Sequence, residues 1–158
     1  PDPCKMNPAG REWFDIDDRV NGPDYAAPVI QTAITALLTD LRLSGSALIL
    51  AGFSQGGMMS LHCGLRLNPA PAAIVSFSGA LLRHDDLSAS ATTPYPPVQL
   101  IHGSDDQVVP CALMHEAARI LSPLGVEVET VERPGLAHGI DPDGLTASIS
   151  FLAAHITD

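Results

Sequence analysis

The chain has 158 residues, of which 46% are hydrophobic and 16% charged, and its formal net charge is −10. That length suits one domain with one core, and the composition is too apolar for a disordered chain. The acidic balance argues against nucleic acid and anionic membranes as partners, since both are bound through Lys and Arg.

No apolar run approaches the ~20 residues that a membrane-spanning helix needs, so no membrane span is expected. Pro1-Asp2-Pro3-Cys4-Lys5 has no apolar stretch of the signal-peptide kind. Cys4, Cys63 and Cys111 are odd in number and scattered. They form neither a disulfide framework nor a zinc pattern, so a reducing cytoplasm and structural roles are expected.

In chain order, an opening loop rich in Pro, Asn and Gly carries Trp13-Phe14-Asp15-Ile16 and runs to Asn21-Gly22-Pro23. From about Asp24 to Leu43, apolar residues from Val29 to Leu41 recur at offsets of three and four. This predicts an amphipathic helix with Asp24 as its cap and Pro28 near its start. Ser44-Gly45-Ser46 ends it. The run Ala47-Leu48-Ile49-Leu50-Ala51 predicts a strand, and Met58-Met59-Ser60-Leu61 reads as the first turns of the next helix.

Asn68-Pro69-Ala70-Pro71 breaks the chain before a buried strand over Ala73-Ile74-Val75-Ser76-Phe77. Leu81 to Pro97 is irregular and predicts a long loop, with a short helix near Asp85-Asp86-Leu87. A strand over Val98–His102 and a helix from Pro110 to Leu124 follow. Val126 to Val131 alternates and predicts a strand with one wet face near a sheet edge. A last helix spans about Pro142 to Ile156. Strands alternating with helices give an α/β fold, a mostly parallel sheet covered on both faces, in a single domain over residues 1–158.

Between the strand at Ala47–Ala51 and its helix lies Gly52-Phe53-Ser54-Gln55-Gly56-Gly57. Strand, tight Gly-x-Ser-x-Gly turn and helix form a nucleophile elbow, with the Ser54 hydroxyl held out above the sheet. Gly52 and Gly56 lack a Cβ, which lets neighbouring chain approach there. The helix after Ser54 turns its free N–H groups and positive dipole end toward a developing oxyanion.

Serine is a weak nucleophile and needs a base and a group that orients the base. In α/β-hydrolases these follow in the order Ser, Asp or Glu, His, each in a loop after a strand. The strand ending at His102 runs into Gly103-Ser104-Asp105-Asp106, and the last predicted strand into Arg133-Pro134-Gly135-Leu136-Ala137-His138-Gly139. Of six histidines, His62, His115 and His155 fall in predicted helices, His84 in the irregular loop and His102 at a strand end. His138 alone follows the last strand among small residues, which makes it the candidate base. His102 is suited to holding the Asp-bearing loop. Between Asp105 and Asp106 the residues alone leave the choice open.

Ala51-Gly-Phe-Ser-Gln-Gly-Gly57, Phe77-Ser-Gly-Ala-Leu81, His102-Gly-Ser-Asp-Asp-Gln-Val-Val-Pro110 and His138-Gly139 together resemble the phospholipase/carboxylesterase family of α/β-hydrolases. That group contains acyl-protein thioesterases and small bacterial carboxylesterases, and Trp13-Phe14-Asp15 is similar to its segment upstream of the elbow. The resemblance implies Ser54 as nucleophile, Asp106 as the acid and His138 as the base, with the Gln55 backbone N–H as an oxyanion donor. It implies cleavage of small acyl esters or thioesters through an acyl-enzyme, with no cofactor and no metal. Met58, Leu81, Leu82 and Trp13 are candidates for an acyl pocket, for which core packing is the competing reading.

The family begins with strands and a Leu-His-Gly-type loop that nothing here resembles. The expected sheet therefore lacks the family's N-terminal strands, and the elbow strand is expected to pair with a second copy or with a missing N-terminal segment. The alternative function is a catalytically impaired hydrolase fragment serving as an assembly or binding module. A serine peptidase on the same fold is a third reading, favoured by no pocket charge.

Overall fold

A computed structural model describes residues 1–5, 7, 9–87 and 94–156. Its centre is a four-stranded parallel sheet in the order β3-β4-β5-β6, formed by Ile49–Phe53, Ala73–Phe77, Val98–Gly103 and Val128–Arg133. Antiparallel β1 (Asp2–Pro3) and β2 (Arg11–Glu12) stand apart from it. This pair was not foreseen, because two residues are too few for an alternation to register.

The helices are α1 (Gly22–Leu41), α2 (Gln55–Gly64), α3 (Ala112–Leu121) and α4 (Pro142–His155). Strand alternation sorts the core onto two faces. Ile74 and Leu100 join Leu61 of α2, Leu65 just after it, and Met114 and Leu121 of α3 on one side. Val75, Phe77 and Ile101 meet Phe151 of α4 on the other. β4 and β5 are buried along their full length, as befits central strands covered on both sides. Each fully buried Leu or Ile contributes roughly 1.5–3 kcal/mol. Helices on both faces of a parallel sheet are the expected α/β architecture.

Boundaries moved where local chemistry intervened. α1 starts at Gly22 with proline in its first turn, and Gly22 lies so close to Phe14 that a Cβ there would meet its ring at 2.7 Å. Asp24 does not cap α1; its carboxylate faces His62 at 3.3 Å and Arg83 at 3.2 Å. Only the start of the apolar stripe is buried, through Ala26 and Ala27, while Val29 and Leu37 stay 66% and 54% exposed. α1 lies against α2.

Gly45–Ala47 is a 3-10 turn, which shifts β3 two residues beyond its predicted start. α3 stops at Leu121 because Pro123 follows, and Ser122–Leu124 continues as a 3-10 turn. β6 is an edge strand, in keeping with its alternating pattern. Near the predicted short helix, Asp85 and Asp86 form a turn, while residues 88–93 of that loop lie outside the described residues. No helix among the described residues is long and apolar enough to cross a membrane.

Candidate active site

Parallel strands place the ends of β3, β5 and β6 at one edge of the sheet, and Ser54, Asp106 and His138 each follow one of those ends. Ser54 joins β3 to α2 with φ 54° and ψ −120°. A non-glycine residue at such a φ carries strain of about 1–3 kcal/mol and persists only where its surroundings fix it. Here the Ser54 N–H donates to Phe77 O at 2.8 Å, and Ser54 O accepts from Met58 N at 3.0 Å.

The glycine contacts correct one expectation. A Cβ on Gly52 would meet Gly56 C at 2.2 Å, and one on Gly57 would meet Ser76 Oγ at 2.6 Å, whereas Gly56 has nothing within 4 Å. The crowding that demands glycine therefore falls on Gly52 and Gly57. Gly56 contributes its backbone as the surface that Gly52 approaches.

Gln55 opens α2, so its N–H belongs to the first turn, whose donors have no intrahelical acceptor. Its side chain does something that sequence reasoning missed. Oε1 accepts from Trp13 N–H and Nε2 donates to Phe14 O, each at 2.7 Å. The residue beside Ser54 thus anchors the opening loop over α2.

Hydrogen bonding distinguishes the two adjacent carboxylates. Asp106 is buried, with Oδ1 accepting from Val108 N at 2.9 Å and Val109 N at 2.8 Å. Its Oδ2 lies 2.7 Å from His138 Nδ1. Burial opposes the charge, yet the hydrogen bonds from His138, Val109 and Val108 outweigh it and hold the carboxyl below the usual carboxylate range. Asp105 is exposed and accepts from Ser104 Oγ at 2.7 Å. The adjacent carboxylates therefore face different surroundings, and only Asp106 reaches the imidazole.

The acid and base loops are laced together. Ser104 N donates to Arg133 O at 3.0 Å, Asp105 N to Leu136 O at 3.0 Å, and Gly135 N to Ser104 Oγ at 2.8 Å. A Cβ on Gly103 would meet Leu136 O at 2.1 Å, so the loops touch where only glycine fits. His102 is buried, and its Nε2 donates to Val109 O at 2.7 Å while lying 3.3 Å from Asp106 Oδ2. It braces the acid loop, as its place at the strand end suggested.

With Nδ1–H directed at Asp106, the lone pair of His138 is on Nε2. The ring stacks on Phe53, with centroids 4.7 Å apart and planes inclined by 43°. Phe53 immediately precedes Ser54, so this contact sets the imidazole beside the elbow. The remaining histidines are engaged elsewhere: His62 with Asp24, His84 with Asp85, His115 with Glu132 and His155 with Glu127.

A hollow of about 250 Å³ opens at Ser54, walled by Met58, Leu81, Leu82, Val109 and Leu113. Three of the four candidate pocket residues line it. Trp13 does not; it lies near Ile30, Met59 and Cys63, held there through Gln55. Arg19 stands at the rim of the hollow, its Nε donating to Ile16 O at 3.1 Å.

The profile of the phospholipase/carboxylesterase family matches residues 1–156. The chain is 34% identical over 160 aligned residues to acyl-protein thioesterase 1 of Gibberella zeae, covering 89% of this chain and 66% of that relative. It is 29% identical to esterase YpfH of Escherichia coli, covering 95% of this chain and 63% of the relative. The chain thus spans slightly less than two thirds of either curated relative. Among solved structures, esterase PE8 superposes with a TM-score of 0.92 at 38% identity, over 98% of this chain and 75% of that one. SOBER1 of Arabidopsis thaliana shares the fold, with a TM-score of 0.86 at 20% identity, over 98% and 79% of the two chains.

Proposed function

Because the chain belongs to the phospholipase/carboxylesterase family, we propose that it is a serine hydrolase cleaving carboxylic esters or thioesters of acyl groups. The observation that carries this reading is the Asp106–His138 hydrogen bond of 2.7 Å, with the His138 ring against Phe53, the residue before a strained Ser54. The names of the relatives, an acyl-protein thioesterase and an esterase, support the substrate class.

In the proposed mechanism, His138 Nε2 takes the Ser54 proton as Oγ attacks the acyl carbonyl. Asp106 fixes the tautomer and stabilises the imidazolium that forms. The Gln55 N–H donates to the oxyanion, and one such donor is typically worth about 3 kcal/mol of barrier. His138 then protonates the leaving alcohol or thiol. Water, deprotonated by the same imidazole, attacks the acyl-enzyme and restores Ser54. The apolar hollow beside Ser54 receives the acyl chain, and a cytoplasmic setting suits three free thiols.

Intact mass after exposure to a fluorophosphonate tests this reading, with wild type beside Ser54→Ala and His138→Ala. A single adduct on the wild type that both substitutions abolish is the expected result. A folded wild type that takes no adduct would refute it and favour a binding or assembly module.

A further inference from the structure

Away from the elbow, the fold gathers three donors that the sequence leaves far apart. Cys111 precedes α3, His115 lies four residues on, and Glu132 belongs to β6, against which α3 packs. Residues four apart share one helix face. The Cys111 Sγ, a ring nitrogen of His115 and a carboxylate oxygen of Glu132 all lie within 4.8 Å of one another. His115 Nε2 and Glu132 Oε2 are 3.1 Å apart. The three cysteines show no zinc pattern in the sequence because the third donor comes from a strand that only folding brings to α3.

We propose that Cys111, His115 and Glu132 form a binding site for a zinc ion, distinct from the Ser54 site and outside the hydrolytic chemistry. The donor set is the one zinc accepts: thiolate, imidazole and carboxylate, with water completing a tetrahedron. Bonds of about 2.0–2.3 Å put tetrahedral ligands about 3.3–3.8 Å apart. The present separations need an adjustment of about an ångström at most, within reach of side-chain rotation at the exposed His115 and Glu132. Charge also balances, since one thiolate and one carboxylate neutralise the ion. The Cys111 proton is released to solvent when the metal binds.

The position gives the ion a structural consequence. Cys111 directly follows the acid loop that ends at Pro110, and Glu132 directly precedes Arg133, whose carbonyl accepts from Ser104 N. Zinc would staple the segment after Asp106 to the segment before His138, so occupancy stabilises the pair of loops whether or not Ser54 acts as a nucleophile.

Cobalt titration of the reduced full chain tests the proposal, because a thiolate bound to Co²⁺ gives a charge-transfer absorption and the metal also accepts tetrahedral sites. The expected result is a stoichiometric band that Zn²⁺ displaces. It should disappear in Cys111→Ser and persist in Cys4→Ser. His115→Ala and Glu132→Gln change exposed side chains, so they keep the test decisive if Cys111→Ser does not fold. Each should weaken binding by about tenfold or more, at least the loss expected for a supporting partner of a metal ligand. No band with the wild type, a band that survives Cys111→Ser, loss of the band in Cys4→Ser, or unchanged affinity in His115→Ala or Glu132→Gln would overturn it.

Discussion

Replacing Asp106 by Asn changes one atom and should separate the acid role from every packing role in the loop. The carboxylate is fully buried and makes contacts to Val108 N, Val109 N and His138 Nδ1. An Asn oxygen can keep the two backbone donors, but its amide then faces the imidazole. Nδ1 must become the acceptor, the proton moves to Nε2, and the base toward Ser54 is lost. The expected loss in kcat is about 10⁴-fold, as for the same swap in other Ser-His-Asp enzymes. At 1.36 kcal/mol per decade, that is about 5 kcal/mol of barrier. Stability should fall less, by about 1–3 kcal/mol, because charged hydrogen bonds become neutral ones and His102 Nε2–H faces a second donor. Hydrolysis of a p-nitrophenyl acyl ester, with thermal unfolding alongside, measures both quantities. Asp105→Asn is the control and should stay near wild type, since that side chain is exposed. A folded Asp106→Asn within tenfold of wild type, or an Asp105→Asn equally impaired, would refute the assignment.

Four further outcomes are expected. Gly52→Ala should destabilise the fold by about 3 kcal/mol or prevent folding, because the added methyl meets rigid backbone at Gly56, while Gly56→Ala, open on that side, should be tolerated; urea melts compare the two. Burial pushes the Cys63 thiol up to about 11, so at pH 8 a maleimide should label native Cys63 far more slowly than Cys4, and labelling the two at equal rates would show an open core. Burial, with Arg66 nearby, holds His62 below its usual value, so the unfolded chain binds the extra proton first. Stability should therefore fall as pH drops below about 6.5, and His62→Asn should flatten that part of the unfolding curve. Gln55→Ala strips partners from Trp13 N and Phe14 O and should cost about 1–3 kcal/mol, seen as a lower melting temperature with the opening loop cleaved first by protease.

Much of the fold, and the loops that carry the candidate site residues, were legible because each rests on a local rule. The Gly-x-Ser-x-Gly turn between an apolar run and a helix located Ser54, and chain order after the next strands located the acid loop and His138. The choice of Asp106 needed three-dimensional detail or a resemblance, since the backbone N–H groups that select it come from Val108 and Val109. Local periodicity misjudged α1, whose apolar stripe is mostly uncovered, because periodicity reports what a helix can bury and not what lies against it. Trp13, a candidate for the acyl pocket, lies near Ile30, Met59 and Cys63 instead. The Gln55 side chain, an uncharged residue valued only for its backbone, accepts from the Trp13 backbone N–H. The donors at Cys111, His115 and Glu132 were invisible for a related reason: two share a helix face, but their partner is set by the parallel pairing of β5 with β6.

The elbow shows how a strained serine is kept in place by its neighbours in the fold. Ser54 would relax to an ordinary φ if its neighbours allowed it, and three independent constraints forbid this. Hydrogen bonding to Phe77 O ties it to the adjacent strand, and the approach of Gly52 to Gly56 fixes the tightness of the turn. Gln55, bonded through its side chain to Trp13 and Phe14, pins the first residue of α2 from above. Phe53 then carries the result outward, because its ring is the surface on which His138 rests. A change that loosens the turn should consequently displace the imidazole as well as the hydroxyl. His138 is aligned from two sides, by Asp106 through a hydrogen bond and by the elbow strand through a ring contact. That double support explains why strain at one residue can be confined to the site and not spread into β3.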